Sequence, residues 1–125
     1  MVAMRVGTDI VEVERLARSL RRQPAFATSV FSDEERLYCD AQARPAQHYA
    51  ARFAAKEAFL KAVGHGVLDG VALPEIEVVR APREAPALRL GPSAAAALAD
   101  AGGRQALVSL SHDGGMAVAF VMVCG

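Results

Sequence analysis

The sequence predicts an α+β domain, a mostly antiparallel sheet packed against helices, and three observations carry that reading. Strand-like and helix-like segments follow one another without the strict alternation of a parallel α/β fold. Apolar runs on both sides of Asp113-Gly114-Gly115 mark a β-hairpin near the end of the chain. One long segment, Ala50 to Val63, holds good helix formers with no Gly or Pro inside it. At 125 residues, 53% of them hydrophobic and 22% charged, the chain suits a single globular domain over 1–125.

The elements follow in order. Val6, Thr8 and Ile10 alternate with Arg5, Gly7, Asp9 and Val11, the period of a half-buried opening strand. Asp9 then lies on the face opposite Ile10, beside a glycine that lets another group approach closely. Val13, Leu16 and Leu20 predict a helix after the strand, with Arg15, Arg18 and Arg22 repeating that spacing on another face and Arg21 adding to them. Ser32-Asp-Glu-Glu35 has the pattern of a capping box opening a second short helix. Pro45 is placed to begin the next helix, and Gly64-His65-Gly66 to end it, with Gly64 where a left-handed residue is wanted. Glu75 to Arg80 and Ala87 to Leu90 read as short strands around a Pro-containing loop. Pro92-Ser93 and the alanines after it read as a helix ending at Gly102-Gly103. Leu107 to Ser111 and Met116 to Val123 form the arms of the hairpin.

Composition excludes several roles. The formal net charge is zero, so nothing global favours nucleic acid or an anionic membrane. No stretch approaches the length of a membrane span. Cys39 and Cys124 are too few for a disulfide framework and lack metal-ligand spacing, so reduced thiols and a cytoplasmic setting are expected.

Of fourteen basic residues, twelve are Arg and two are Lys, and the two lysines are Lys56 and Lys61 on the same predicted helix. An ammonium on a flexible stem differs from a guanidinium in hydration, reach and readiness to lose a proton, so this placement points to chemistry. Glu57 and Lys61 are i and i+4 and share a helix face. As a surface ion pair they would contribute a few tenths of a kcal/mol, roughly. As part of a site they need a partner acid, since Mg²⁺ usually takes one or two carboxylates together with substrate phosphates. Asp9 is the candidate, with Glu12 and Glu14 following it. The third piece is Val108-Ser-Leu-Ser-His112 at the end of a strand, where Ser111 and His112 can reach phosphate oxygens.

Gly7-Thr-Asp-Ile10, Phe31-Ser-Asp-Glu-Glu35 with Tyr38-Cys39, Arg52-Phe-Ala-Ala-Lys-Glu-Ala58 with Lys61-Ala-Val-Gly64, and Val108-Ser-Leu-Ser-His112 with Ala117-Val-Ala119 occur in that order. Together they resemble holo-acyl-carrier-protein synthase, the short single-domain class of 4′-phosphopantetheinyl transferases, from about Val6 to about Val121. The resemblance implies that fold, with coenzyme A as co-substrate and Mg²⁺ as cofactor. The implied reaction moves the phosphopantetheine arm to a serine of an apo acyl carrier protein and releases adenosine 3′,5′-bisphosphate. Carried onto this chain, Asp9 and Glu57 would hold the metal, Lys61 would sit on a phosphate as charge grows, and Glu57 would take the serine proton. Lys56, Gly64, His65, Gly66, Ser111 and His112 would contact coenzyme A. The resemblance further implies a homotrimer with active sites between subunits, His112 of one facing Asp9 and Glu57 of the next. Arg15, Arg22, Gln23 and Phe26 would dock the acidic carrier, whether it serves fatty-acid, polyketide or peptide synthesis.

The chain departs from the family pattern at four places. Asp113 follows Ser-His where a small hydroxyl residue is usual, and as an added acid it is open to three readings: turn residue, metal neighbour or general base. His65 stands where Thr is common. The loop reads Glu84-Ala-Pro86 rather than Gly-basic-Pro, and Ser19 replaces a larger apolar residue. The alternative reading is a non-catalytic coenzyme A or nucleic-acid binding module using the Arg-rich helix. Zero net charge and the absence of a nucleic-acid reading motif weigh against the nucleic-acid form, and the intact Asp9, Glu57 and Lys61 set weighs against the other.

Overall fold

The computed structural model describes residues 4–64 and 69–125. Strand β1 (Met4–Glu12) leads into helices α1 (Val13–Arg22), α2 (Pro24–Val30), α3 (Asp33–Asp40) and α4 (Pro45–Val63). A 3₁₀ turn (Leu73–Glu75), strands β2 (Ile76–Val79) and β3 (Ala87–Leu90), helix α5 (Pro92–Asp100) and strands β4 (Gln105–Asp113) and β5 (Met116–Cys124) follow. Two antiparallel sheets result, one ordered β1-β5-β4 and the other β2-β3. The α+β expectation holds.

Helix α4 is the axle of the molecule. Twelve of its nineteen residues are buried, so it packs on nearly every side rather than presenting one apolar stripe. Alanines at 50, 51, 54, 55, 58 and 62 keep its surface low and let neighbours come close. Against it lies the inner face of the larger sheet, with Ala117, Ala119, Val121 and Val123 of β5 all at 1% exposure or less. Gly7 is the tightest meeting point: a Cβ there would stand 2.0 Å from the Ala58 carbonyl oxygen and 2.7 Å from the Ala62 nitrogen. No side chain fits between β1 and α4 at that level, and this brings Asp9, two residues on, within reach of the helix. The buried half of the opening strand is therefore Gly7, Asp9 and Val11. Val6 and Ile10 face outward at 58% and 61% exposure.

Local signals in the sequence are realised at the ends of elements. The Ser32 hydroxyl accepts from the Glu35 amide and the Glu35 carboxylate accepts from the Ser32 amide, so both halves of the capping box are present. Pro45 occupies the first turn of α4, and Gly64 closes the helix at φ 76°, its N–H donating to the Leu60 carbonyl. The hairpin register pairs Asp113 with Met116, leaving Gly114-Gly115 as a two-residue turn. Strand boundaries move slightly: β2 begins at Ile76 because Leu73–Glu75 coils into the 3₁₀ turn, and β4 runs on to Asp113. Helix α2 was not anticipated. Pro24 starts it, and Phe26 packs edge-on to Phe31 and near Phe53, an aromatic cluster that no local pattern announces.

Candidate active site

Residues 53, 57 and 61 of α4 repeat at i+4 and form a stripe facing β1. The Lys61 ammonium donates to the Asp9 carboxylate Oδ1 and to the Thr8 carbonyl oxygen, both at 3.0 Å. Glu57 lies one turn back on the same stripe. Burial, the Asp9 charge next to it and, in the opposite direction, Lys61 act on its carboxyl, and the result is a pKa above the usual range. A cleft of about 420 Å³ joins Asp9 and Glu57 to Arg15, Ser19, Phe26 and Phe53. The three residues read as the chemical centre thus come together, and two of the expected docking residues, Arg15 and Phe26, share the cleft of Asp9 and Glu57. Arg22 and Gln23 line an adjoining groove of about 290 Å³ with Arg15, Arg18 and Ser19. Arg21 pairs with Glu14 at 3.3 Å, whereas Arg15, Arg18 and Arg22 make no ion pair among the described residues.

Lys56, expected to contact a phosphate of coenzyme A, lies on another face of α4 from Glu57 and Lys61. Its side chain is wholly buried, and its three protons are committed to the Glu35 carboxylate at 2.7 Å, the Ile76 carbonyl at 2.7 Å and the Leu73 carbonyl at 2.9 Å. Glu35 is equally sealed and also accepts from the Val78 amide at 3.0 Å, which leaves each charge fully partnered. Burial still draws the Lys56 ammonium below its ordinary range, with Glu35 pulling it back. The pair pins α4 to α3, the 3₁₀ turn and β2.

The signal for this second role was present as another i+4 stripe, His48, Arg52 and Lys56, on a different face of α4 from Glu57. Arg52 stacks its guanidinium 4.3 Å from the centre of the Tyr38 ring and has a buried Nε with no hydrogen-bond partner. Together with Arg80 and Arg89 it lines a cavity of about 390 Å³. Burial first, then the charges of Arg52, His112 and Arg80, hold the His48 pKa below its usual value.

Within one chain the structure keeps the Ser-His block apart from the carboxylates. His112 pairs with Ala117, which pairs with Val11, so His112 and β1 stand two strand spacings apart, about 10 Å. Ser111 and His112 are both exposed, and the strand period sends them to opposite faces. Asp113 is the last residue of β4 before the turn and makes no ion pair among the described residues. Gly64 caps α4 beyond Lys61. His65 and Gly66 lie outside the described residues.

Among the described residues, no helix covers the outer face of the larger sheet. Met4, Val6, Ile10, Leu107 and Phe120 are exposed there at 40–63%, with Val118 and Met122 half-covered between them.

Comparison with known proteins assigns the class. The sequence pattern of the 4′-phosphopantetheinyl transferase superfamily matches residues 5–120, and the chain belongs to that family. A holo-[acyl-carrier-protein] synthase of Geobacter metallireducens is 45% identical over 118 residues, covering 94% of each chain. One from Methylobacterium radiotolerans is 46% identical over 123 residues, covering 94% of this chain and 90% of the other. Among solved structures, a Chronobacterium ammoniagenes ACPS–CoA complex superposes with a TM-score of 0.84 at 35% identity, covering 97% of this chain and 96% of that one.

Proposed function

We propose that this chain is a holo-[acyl-carrier-protein] synthase that transfers the 4′-phosphopantetheine arm of coenzyme A to a serine of an apo acyl carrier protein. The observation that carries this reading is the convergence of Asp9 from β1 with Glu57 and Lys61 from one face of α4: Asp9 and Glu57 line one cleft, and the Lys61 ammonium donates to the Asp9 carboxylate. The serine oxygen forms a bond to the β-phosphorus as the bond to adenosine 3′,5′-bisphosphate breaks. Glu57, whose carboxyl is held above the usual range by burial and by Asp9, accepts the serine proton. Lys61, exposed and on a flexible stem, gives its ammonium to the phosphate oxygens where charge grows.

The donor set suits a hard dication. Asp9 and Glu57 offer oxygen ligands only, and burial first, then the Asp9 charge, raise the Glu57 pKa, a cost of ionisation that a bound cation relieves. When bound there, Mg²⁺ supplies charge neutralisation for the pyrophosphate.

The site is completed by a second copy. His112 stands two strand spacings from β1, and Arg52 and Arg80 line a separate cavity, so a neighbouring subunit would bring them to the phosphates of coenzyme A. The uncovered apolar face of the β1-β5-β4 sheet supplies the surface for a homotrimer. Ser111 would enter the same interface, and Asp113, last before the turn, would set the His112 backbone. The Arg15, Arg22, Gln23 and Phe26 surface receives the acidic carrier. Both cysteines are free, which suits a reducing cytoplasm.

Incubating apo carriers with coenzyme A and Mg²⁺ tests the proposal by mass spectrometry. A carrier gaining one phosphopantetheine is the expected product; a panel of fatty-acid, polyketide and peptide carriers left entirely unmodified defeats it. Mixing Glu57→Ala with His112→Ala protein under conditions of subunit exchange should recover part of the activity that each lacks alone.

A further inference from the structure

We propose that Lys61 is the resident counter-ion of Asp9 and is exchanged for the divalent cation, so that ammonium and metal compete for one carboxylate. This rests on the reading of Asp9 and Glu57 as metal ligands.

The geometry has two parts. First, the Lys61 ammonium is held at equal distances, 3.0 Å, from Asp9 Oδ1 and the Thr8 carbonyl oxygen, so it has a fixed perch on β1 at the carboxylate. Second, the perch can be left. The Lys61 side chain is 55% exposed while that of Asp9 is 18% exposed, so the cation, not the acid, is free to swing on its four-carbon stem. A dication entering between Asp9 and Glu57 meets this ammonium at close range and must displace it, because like charges repel strongly in a partly desolvated cleft. Lys56, five residues earlier, has no such freedom.

Two consequences follow. Metal alone binds weakly, since Lys61 already neutralises Asp9. An anion that draws Lys61 off its perch strengthens metal binding, and by reciprocity metal frees Lys61 for the anion. The lysine therefore reports to the phosphates whether the carboxylates are loaded.

Titration with Mn²⁺ alone, followed by the paramagnetic resonance of the free ion, tests the competition. Lys61→Met should bind Mn²⁺ about tenfold more tightly than the wild-type protein, a coupling of ordinary size. Asp9→Asn should lose that binding. Unchanged or weaker Mn²⁺ binding in Lys61→Met, with Asp9→Asn still deficient, overturns the exchange and leaves the metal site standing. Wild-type affinity in both Asp9→Asn and Glu57→Gln removes the metal site itself. Because the chain has only two lysines, carbon-13 labelling of the lysine ε-carbons gives an independent reading in the unmutated protein. Saturating Mg²⁺ should move the Lys61 signal and leave the Lys56 signal in place; a Lys61 signal that stays put as Mg²⁺ saturates contradicts the proposal.

Discussion

Lys56 and Lys61 sit five residues apart on one helix, yet they occupy opposite electrostatic regimes. Lys56 is sealed against Glu35 with every proton bound to a fixed acceptor; Lys61 is held by Asp9 and the Thr8 carbonyl on a side chain that is 55% exposed. A buried charge that is fully partnered holds elements in register, and removing one member leaves the other stranded. An exposed charge contributes little to stability but stays available for a ligand. Residue type therefore does not separate the sealed lysine of α4 from the open one. The face of the helix does: the 48–52–56 stripe turns to α3 and β2, and the 53–57–61 stripe turns to β1.

The contrast can be broken most directly on the β1 flank. Glu57→Ala should lower turnover by about 10³-fold, the scale of a lost general base, while the thermal midpoint stays near that of the wild type. A comparable loss of folding stability in that variant would show that the two flanks are not separable. On the other flank, Lys56→Met should cost about 3–5 kcal/mol in denaturant unfolding, against under about 1 kcal/mol for Lys61→Met. Adding Glu35→Leu to Lys56→Met should return part of that stability, and only part, because the Ser32 and Val78 amides lose their acceptor.

A subtler comparison exchanges the cation type at the open flank. Lys61→Arg keeps the charge but replaces a point donor by a planar fork, and kcat should fall by about 10²-fold, as for loss of one donor to a developing anion. Retention of most of kcat would mean that any cation suffices there.

The smallest effect concerns pH. A carboxyl whose folded-state pKa is raised stabilises the fold in acid, and that contribution is lost as pH rises through the raised value. Glu57→Gln should accordingly be slightly more stable than the wild type at neutral pH, with the gap closing below the ordinary glutamate range. Turnover runs the other way, falling as acid protonates Glu57 above its usual value of 4.5. Chemical denaturation and rate profiles across the same pH series check both signs.

Much was determined by the sequence itself. The capping box at Ser32, the helix from Pro45 to Gly64, the Gly114-Gly115 turn and the shared face of Glu57 and Lys61 follow from local periodicity and turn chemistry, which act over a few residues. The order of the four motif blocks carried the family. What tertiary structure alone decided was partnership across distance. Glu35 reads locally as a first-turn acid and becomes the acceptor for Lys56, 21 residues on. Val6 and Ile10 read as strand hydrophobics, but Gly7, with no side chain, determines that their opposite face meets α4. His112 directly follows Ser111 in the sequence and stands two strand spacings from β1 in the fold. Such pairings depend on which faces the packed helix and sheet present to one another, and no spacing along the chain records that.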